Sequence, residues 1–374
     1  MRFLPVLLFA FSVAVGVGQT SRPPAADADE HLRKGIAAQQ SGDLKTAIEE
    51  YQKALAARPD MADARANLGA ALAAAGQFDA AIEEDTRALA NAPDKTAVRM
   101  NLALAYFKKG DFEHALPEFE AVHAARPSDL SAAMLLGYTQ MKLGKGSDAV
   151  ALLTPLERTH GSNTDFQFVY ASALIQAGNE DEGLPRMEKV AQATKSAEAW
   201  VIAGSTRLHR REFREARADL DSAIELDPSI PGLWTMTGQA RDALGDTDAA
   251  EAAFQAALRA EPRDFTANLY LGAIHLKKRE LDAARPLLEL ALQLQPQAPQ
   301  ARLQMAKLNA MTGNYADAAT ALEELEKADP NWLEPHIELA PIYYKLHRPE
   351  DGQRERNIVE QIQTRQQQAG PPKQ

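Results

Sequence analysis

The pattern that decides the fold begins with Asn67-Leu68-Gly69-Ala70-Ala71-Leu72. It continues through four small or turn-forming residues, which are Gly76, Ala81, Ala88 and Pro93. A shift of 34 residues returns the same residue types at Leu102, Gly110, Ala115 and Pro127, and a second shift returns them at Leu136, Gly137, Gly144 and Ala149. A fixed period of this length predicts a stacked array of small units rather than one globular core.

Each repeat is predicted to contain two amphipathic helices. The first helix carries apolar residues at helical spacing, and a glycine turn separates it from a second helix that is rich in alanine. A proline ends the repeat, because proline stops one helix and leads into the next. Alanine supplies much of the 45% hydrophobic content, and its small side chain lets paired helices approach closely.

The repeat resembles the tetratricopeptide repeat, and the likeness covers nearly all of residues 27–366. The seventh repeat carries the clearest match, at Trp234, Gly238, Gly245, Ala250, Phe254, Ala257 and Pro262. The second repeat departs from the motif, because Asp85 stands where an aromatic residue is usual. The resemblance implies an all-α fold, a right-handed superhelical solenoid of about ten stacked antiparallel helix pairs.

The repeats divide the chain into an N-terminal block (27–161), a degenerate repeat or joint (162–196) and a C-terminal block with a polar capping helix (197–366). The joint follows Pro155 and contains Pro185, and both prolines fall in second-helix regions. It is a degenerate repeat with ordinary packing, a hinge, or a point where the superhelical pitch changes. Residues 367–374 are predicted to be a disordered tail.

The N-terminal 18 residues resemble a secretory signal peptide, since Arg2 precedes an apolar run and Gly16-Val17-Gly18 offers a cleavage site. We expect cleavage near Gly18, a loose linker over residues 19–26, and a periplasmic or secreted protein with no integral membrane insertion after cleavage. The alternative is a membrane anchor formed by the uncleaved N-terminal segment. A cytosolic protein is the least favoured interpretation.

The composition and the motifs argue against an enzymatic, metal-binding or cofactor-binding function. The formal net charge is −11, which disfavours nucleic acid as a partner, and the absence of cysteine excludes disulfides and thiolate sites. The eight histidines show no metal-ligand spacing, and Gly144-Lys145-Gly146-Ser147 lies where an inter-helix turn belongs. The acidic runs Glu49-Glu50 and Glu83-Glu84-Asp85 are assigned to solvated helix faces. We therefore predict no enzyme, no catalytic residue, no cofactor and no metal site.

A concave groove is the predicted binding site, because the first helices of such a solenoid line its inner face. The inward positions read by repeat phase are Met100, Leu104, Phe107, Lys108, Met134, Tyr138, Met141, Lys142 and Phe168. The set is apolar and aromatic with two lysines, which suits protein or peptide segments as partners. The alternative for each apolar residue is packing against a neighbouring helix, and for each lysine a solvated helix end.

The predicted function is a non-enzymatic protein–protein interaction scaffold of the cell envelope. The alternative is a regulatory or tethering subunit of an envelope enzyme that acts on polysaccharide or peptidoglycan. Self-association is a further expectation, since the ends of stacked arrays can pair.

Overall fold

The computed structural model describes residues 23–369 and is all-helical over that range. The chain divides into two compact units, which we call the front unit (Met1–Thr194) and the back unit (Lys195–Gln374). The predicted signal peptide (1–18), the first half of the predicted linker (19–22) and the end of the predicted tail (370–374) lie outside the described residues. The predicted all-α class of stacked helix pairs is confirmed.

Over residues 23–194 the front unit contains eleven α-helices in sequence order. They are α1 (Pro23–Gln40), α2 (Leu44–Ala57), α3 (Ala62–Ala74), α4 (Phe78–Ala88), α5 (Lys95–Lys109), α6 (Phe112–Ala125), α7 (Leu130–Lys142), α8 (Gly146–Leu153), α9 (Glu157–His160), α10 (Thr164–Gln176) and α11 (Glu180–Thr194). A 3₁₀ turn at Thr154–Leu156 separates α8 from α9, because Pro155 cannot continue the helical hydrogen-bond ladder. Pro185, in contrast, lies inside α11 without breaking it.

The back unit is more regular and consists of five helix pairs. They are α12 (Ala197–His209) with α13 (Phe213–Leu226), α14 (Leu233–Ala243) with α15 (Thr247–Ala260), α16 (Phe265–Lys277) with α17 (Leu281–Leu294), α18 (Pro299–Met311) with α19 (Tyr315–Ala328), and α20 (Leu333–Lys345) with α21 (Pro349–Ala369). Within each unit a first helix packs against its own second helix and against helices of the neighbouring pair.

Polar N-caps fix where many helices begin. Asp94 accepts from the backbone N–H groups of Thr96 and Ala97, at 3.0 and 3.1 Å. The same cap recurs at first helices and second helices alike, at Asp43, Asp111, Asp129, Asn163, Ser196, Asp246 and Asp264. A side-chain oxygen at this position satisfies an otherwise unpaired N–H and contributes about 1 kcal/mol.

In most helix pairs the core is a large side chain of the second helix set against a small residue of the first. Phe254 is fully buried against Gly238, where an added Cβ would lie 2.5 Å from the ring. Leu288 faces Gly272 in the same way at 2.7 Å. This close approach explains why the repeat needs glycine or alanine in the middle of its first helix.

Two predicted boundaries are wrong. Helix α1 begins at Pro23, inside the predicted loose linker, because proline suits the first helical position and two alanines follow it. Helix α21 continues to Ala369, so residues 367–369 of the predicted tail are helical. The boundary between the front and back units falls within the predicted joint, and its behaviour as a hinge stays a prediction.

Within residues 23–369, no helix has both the length and the apolar character needed to cross a lipid bilayer.

Candidate interaction surface

The nine predicted groove residues all lie on first helices of the front unit. Helix α5 carries Met100, Leu104, Phe107 and Lys108, helix α7 carries Met134, Tyr138, Met141 and Lys142, and helix α10 carries Phe168. The structure separates them into three classes by burial: buried methionines, half-buried rings with one leucine, and exposed lysines.

The three methionines are part of the packed core rather than of an open surface. Met100 is 3% exposed and packs in a cluster with Phe119 and Leu135. Met134 and Met141 are 9% and 8% exposed and pack in the next cluster. Each is covered by the neighbouring helix pair, so these methionines offer a partner almost no area in this conformation. The helix-packing alternative describes them better than the groove assignment.

The half-buried residues form a row of rings from one helix pair to the next. The ring centroids of Phe107 and Tyr138 lie 5.6 Å apart at an angle of 55°. Phe107 also makes edge contacts with Phe112 at 5.5 Å and Phe119 at 6.1 Å. The core therefore holds Phe107 from behind while its remaining surface faces solvent. Such a ring loses little conformational entropy when a partner covers it.

The two lysines add positive charge beside these rings. Lys108 and Lys142 are exposed, and the ammonium of Lys142 lies 5.1 Å from the centroid of the Tyr138 ring. This cation–π contact holds the ammonium near the ring. We name the aromatic surface as the set Leu104, Phe107, Lys108, Tyr138, Lys142 and Phe168.

The acidic runs do not lie wholly on solvated faces, which corrects the prediction. Glu50 is nearly buried and lies 2.6 Å from the Lys53 ammonium and 2.7 Å from the His31 ring. These neighbours, Lys53 first, lower the pKa of Glu50 to about 2. Asp85 is fully buried, and neither of its carboxylate oxygens has a hydrogen-bond partner among the described residues. Burial raises the pKa of Asp85 well above its ordinary value, and the charge of Glu84 adds to the rise.

Sequence reasoning missed a recurring polar bridge between the two helices of a pair. A basic residue on the first helix contacts a glutamate 19 positions later on the second, at 2.6–2.7 Å, in the pairs His31–Glu50, Arg65–Glu84, Arg99–Glu118 and His336–Glu355. The constant separation of 19 residues between a basic residue and a glutamate, present in four pairs, could have been recognised in the sequence. They explain why acidic residues persist at positions close to the core.

A second apolar surface lies at the end of the back unit. Ile337 and Tyr344 of α20 are 44% and 37% exposed. At the repeat position of Ile337, Leu269 and Leu303 are buried by the helix pair that follows each of them. The guanidinium of Arg356 lies 4.8 Å from the centroid of the Tyr344 ring. Self-association through this end stays a prediction.

Known proteins resemble this chain in fold and in repeat pattern. A solved tetratricopeptide repeat protein from Parabacteroides merdae has 17% identity and a TM-score of 0.53, over 67% of this chain and 99% of that one. The C-terminal part of a TPR repeat-containing protein from Cytophaga hutchinsonii has 18% identity and a TM-score of 0.49, over 63% of this chain and 97% of its own. At 17% identity the likeness to the Parabacteroides merdae protein shows the fold alone.

One curated relative is the cell division cycle protein 27 homolog of Caenorhabditis elegans, with 28% identity over 105 residues. The match spans 28% of this chain but only 13% of that protein. Models of the tetratricopeptide repeat match residues 32–96, 100–154 and 235–299, and a further one matches residues 275–340. Together these matches cover more than half of the chain, which therefore belongs to the tetratricopeptide repeat family.

Proposed function

We propose that this protein is a non-enzymatic scaffold that binds a peptide segment of a partner protein at the aromatic surface of the front unit. Tetratricopeptide repeat proteins generally serve as non-catalytic protein-interaction scaffolds. The observation that carries the proposal is the contact between Phe107 and Tyr138 across two helix pairs, beside an exposed ammonium. Two partly open rings in contact, with Phe168 half-buried on the next first helix, give an extended or helical segment several anchor points.

The chemistry of the surface indicates which segments it prefers. Half-buried aromatic rings favour apolar and aromatic side chains, because they desolvate these groups against a surface that is already ordered. Lys108 and Lys142 favour acidic side chains or a C-terminal carboxylate nearby, since the lysines are exposed and the partner supplies the opposite charge. The preferred ligand is a short segment that combines apolar residues with aspartate or glutamate.

We further propose that the protein acts in the cell envelope, either periplasmic or secreted. The support is the sequence of residues 1–18, in which one arginine precedes an apolar run and small residues. A fusion of the N-terminal segment to a reporter that is active only after export tests this part. An inactive reporter would place the protein inside the cytoplasm.

The binding proposal is tested with a library of random displayed 12-residue peptides, selected on the immobilised full-length protein. We expect enriched sequences to combine aromatic or aliphatic residues with acidic residues. The dissociation constant of a selected peptide, measured by fluorescence anisotropy, should rise at least about tenfold in the double variant Phe107→Ala with Tyr138→Ala, since each ring is expected to act as an anchor.

The back unit supplies a control at the repeat position of Tyr138. Gln239 and Lys307 stand where Leu104 and Tyr138 stand in the front unit, and both are half-buried. The double variant Gln239→Ala with Lys307→Ala should leave the dissociation constant unchanged. Circular dichroism reports whether each variant keeps its helicity. If folded Phe107→Ala with Tyr138→Ala binds as tightly as wild type, the aromatic surface is not the binding site.

A further inference from the structure

Helices α19, α20 and α21 each bring one potential metal ligand to the same place at the end of the back unit. The ligands are Glu326 of α19, His336 of α20 and Glu355 of α21, and their ligand atoms all lie within 4.8 Å of one another. His336 Nδ1 lies 2.7 Å from Glu355 Oε2 and 3.9 Å from Glu326 Oε1. The three residues are separated by 10 and 19 positions, so no local spacing indicates the cluster.

We propose that Glu326, His336 and Glu355 form a binding site for Zn²⁺ that ties the last helix pair to the preceding one. One imidazole nitrogen and two carboxylate oxygens are ligands that Zn²⁺ accepts, whereas Mg²⁺ and Ca²⁺ prefer oxygen ligands alone. A water molecule would complete four ligands.

The imidazole of His336 is already oriented for this role. Its Nε2 lies 3.1 Å from the carbonyl oxygen of Pro330, and since a carbonyl can only accept, Nε2 carries the proton in that bond. Nδ1 faces the two carboxylates and shares a proton with Glu355 Oε2 at 2.7 Å, and Zn²⁺ would displace that proton. Metal-bound histidines commonly donate their second ring N–H to a backbone carbonyl, which fixes the ring and its tautomer.

Burial and charge also suit a cation. The side chains of His336 and Glu355 are 1% and 3% exposed, whereas that of Glu326 is 28% exposed and leaves one side open to solvent. Burial, together with the charge of Glu355, raises the pKa of Glu326. A bound divalent cation would relieve the repulsion between the two carboxylates.

The necessary movements are small. In a tetrahedral zinc site with bond lengths near 2.1 Å, neighbouring ligand atoms lie about 3.4 Å apart. The 2.7 Å contact must therefore open by about 0.7 Å and the 3.9 Å contact must close by about 0.5 Å, and the two carboxylate oxygens, which lie within 4.8 Å of each other, must reach the same spacing. Arg354 opposes the cation, because its Nε lies 3.9 Å from Glu355 Oε1, while Glu323 also carries negative charge close by.

The first helix pair of the chain contains a natural control. His31 Nδ1 lies 2.7 Å from Glu50 Oε2, with the same sequence separation as His336 and Glu355. The third group there is the Lys53 ammonium, 2.6 Å from Glu50 Oε1. A fixed positive charge replaces the second carboxylate, so we expect no metal affinity at this pair.

The experiment uses the untagged full chain, stripped of metal with EDTA and then freed of chelator. Isothermal titration calorimetry with Zn²⁺ should give one saturable site per chain, and Mg²⁺ should give none. Co²⁺ in place of Zn²⁺ should produce the visible absorption of a cobalt ion bound through nitrogen and oxygen. The melting temperature should rise with Zn²⁺ and return with EDTA, because the ion binds the folded state.

Variants decide whether the three named residues are the ligands. Glu326→Gln, which changes the partly exposed ligand alone, should lower the Zn²⁺ affinity at least about tenfold and abolish the cobalt spectrum. His336→Gln should do the same, and His31→Gln should change neither. The absence of saturable Zn²⁺ binding by the folded wild-type protein would overturn the proposal. Unchanged binding by folded Glu326→Gln would overturn it as well.

Discussion

The front and back units share one repeat, yet they differ at matching positions outside the core. The repeat position that holds Leu104 in α5 and Tyr138 in α7 holds Ser205, Gln239, Ala273 and Lys307 in the first four pairs of the back unit. All six residues are half-buried, so the packing around these positions is alike and only the chemistry differs. The comparison teaches that the repeat tolerates apolar, small and charged residues here, which leaves these positions free to specify a partner.

The turns inside the helix pairs differ as well. In the front unit every such turn has glycine at its left-handed position, at Gly42, Gly76, Gly110, Gly144 and Gly178. In the back unit three of the five turns use another residue, at Arg211, Arg279 and His347, with φ of 62°, 61° and 59°. A left-handed conformation costs a residue with a side chain about 1–2 kcal/mol. The back unit therefore stores more backbone strain in its turns.

The buried positions, in contrast, are equivalent in the two units. Phe119 of α6 and Phe254 of α15 occupy the same repeat position and are both fully buried. We expect Phe119→Ala and Phe254→Ala each to lower the free energy of unfolding by about 3–5 kcal/mol, the usual cost of emptying such a site. Urea unfolding followed by circular dichroism measures both losses.

Tryptophan fluorescence reports on unfolding of the back unit alone, because Trp200, Trp234 and Trp332 all belong to it. Phe254→Ala should lower the fluorescence midpoint, while Phe119→Ala should act mainly on the circular dichroism signal. Equal shifts of both signals by both variants would mean that the two units unfold as one.

Asp85 marks the largest departure of the front unit from the common core. Its repeat position holds Leu153, Leu220 and Leu288 in other pairs, each set against glycine as Asp85 is set against Gly69. Asp85→Leu should raise the free energy of unfolding at pH 7 by about 2 kcal/mol, because it removes a buried carboxyl group without partners. Chemical denaturation of wild type and variant measures the gain.

The direction in which the stability gain of Asp85→Leu changes with pH can also be predicted. The folded state raises the pKa of Asp85 above its ordinary value of 3.8, so folding is favoured by protonation. The stabilisation that protonated Asp85 gives to the folded state is fully present below its ordinary pKa. It is lost as the pH rises through the pKa of Asp85 in the folded state. The advantage of Asp85→Leu should therefore widen above about pH 4. Asp85→Asn should remove this pH dependence with little gain in stability, and an advantage that does not change with pH would contradict the account.

The turn comparison predicts the smallest effect. Arg279→Gly should stabilise the protein by about 1 kcal/mol or less, since glycine adopts the left-handed conformation without strain but gains freedom when unfolded. The reverse change at an equivalent turn, Gly245→Arg, should destabilise by a similar amount. Thermal unfolding of the two variants against wild type measures the difference, and shifts of the same sign would refute the strain argument.

Much of the fold could be predicted from the sequence because the repeat is periodic. The interruption at Pro155 and the final helix after Pro349 follow from local chemistry alone. Asp85 was misassigned because its polarity outweighed a repeat position that packing makes buried. Met100, Met134 and Met141 were assigned to the groove although they are buried, because helical phase shows which way a side chain points but not whether the next helix pair covers it.

The two candidate sites also differ in how far the sequence predicts them. The rings of Phe107 and Tyr138 were found by phase, since both positions lie on the predicted inner face of adjacent first helices, where the structure brings the rings into contact. The cluster of Glu326, His336 and Glu355 was missed, because three helices contribute one ligand each and only the packed structure brings the ligands together.

Hydrogen–deuterium exchange of the full chain, with and without a peptide selected from the library, tests the central claim most directly. The account predicts slower exchange of the amides in α5, α7 and α10 when the peptide is bound, and unchanged exchange in the equivalent helices α14, α16 and α18. Protection confined to the back unit, or spread equally over both units, would contradict the assignment of binding to the aromatic surface.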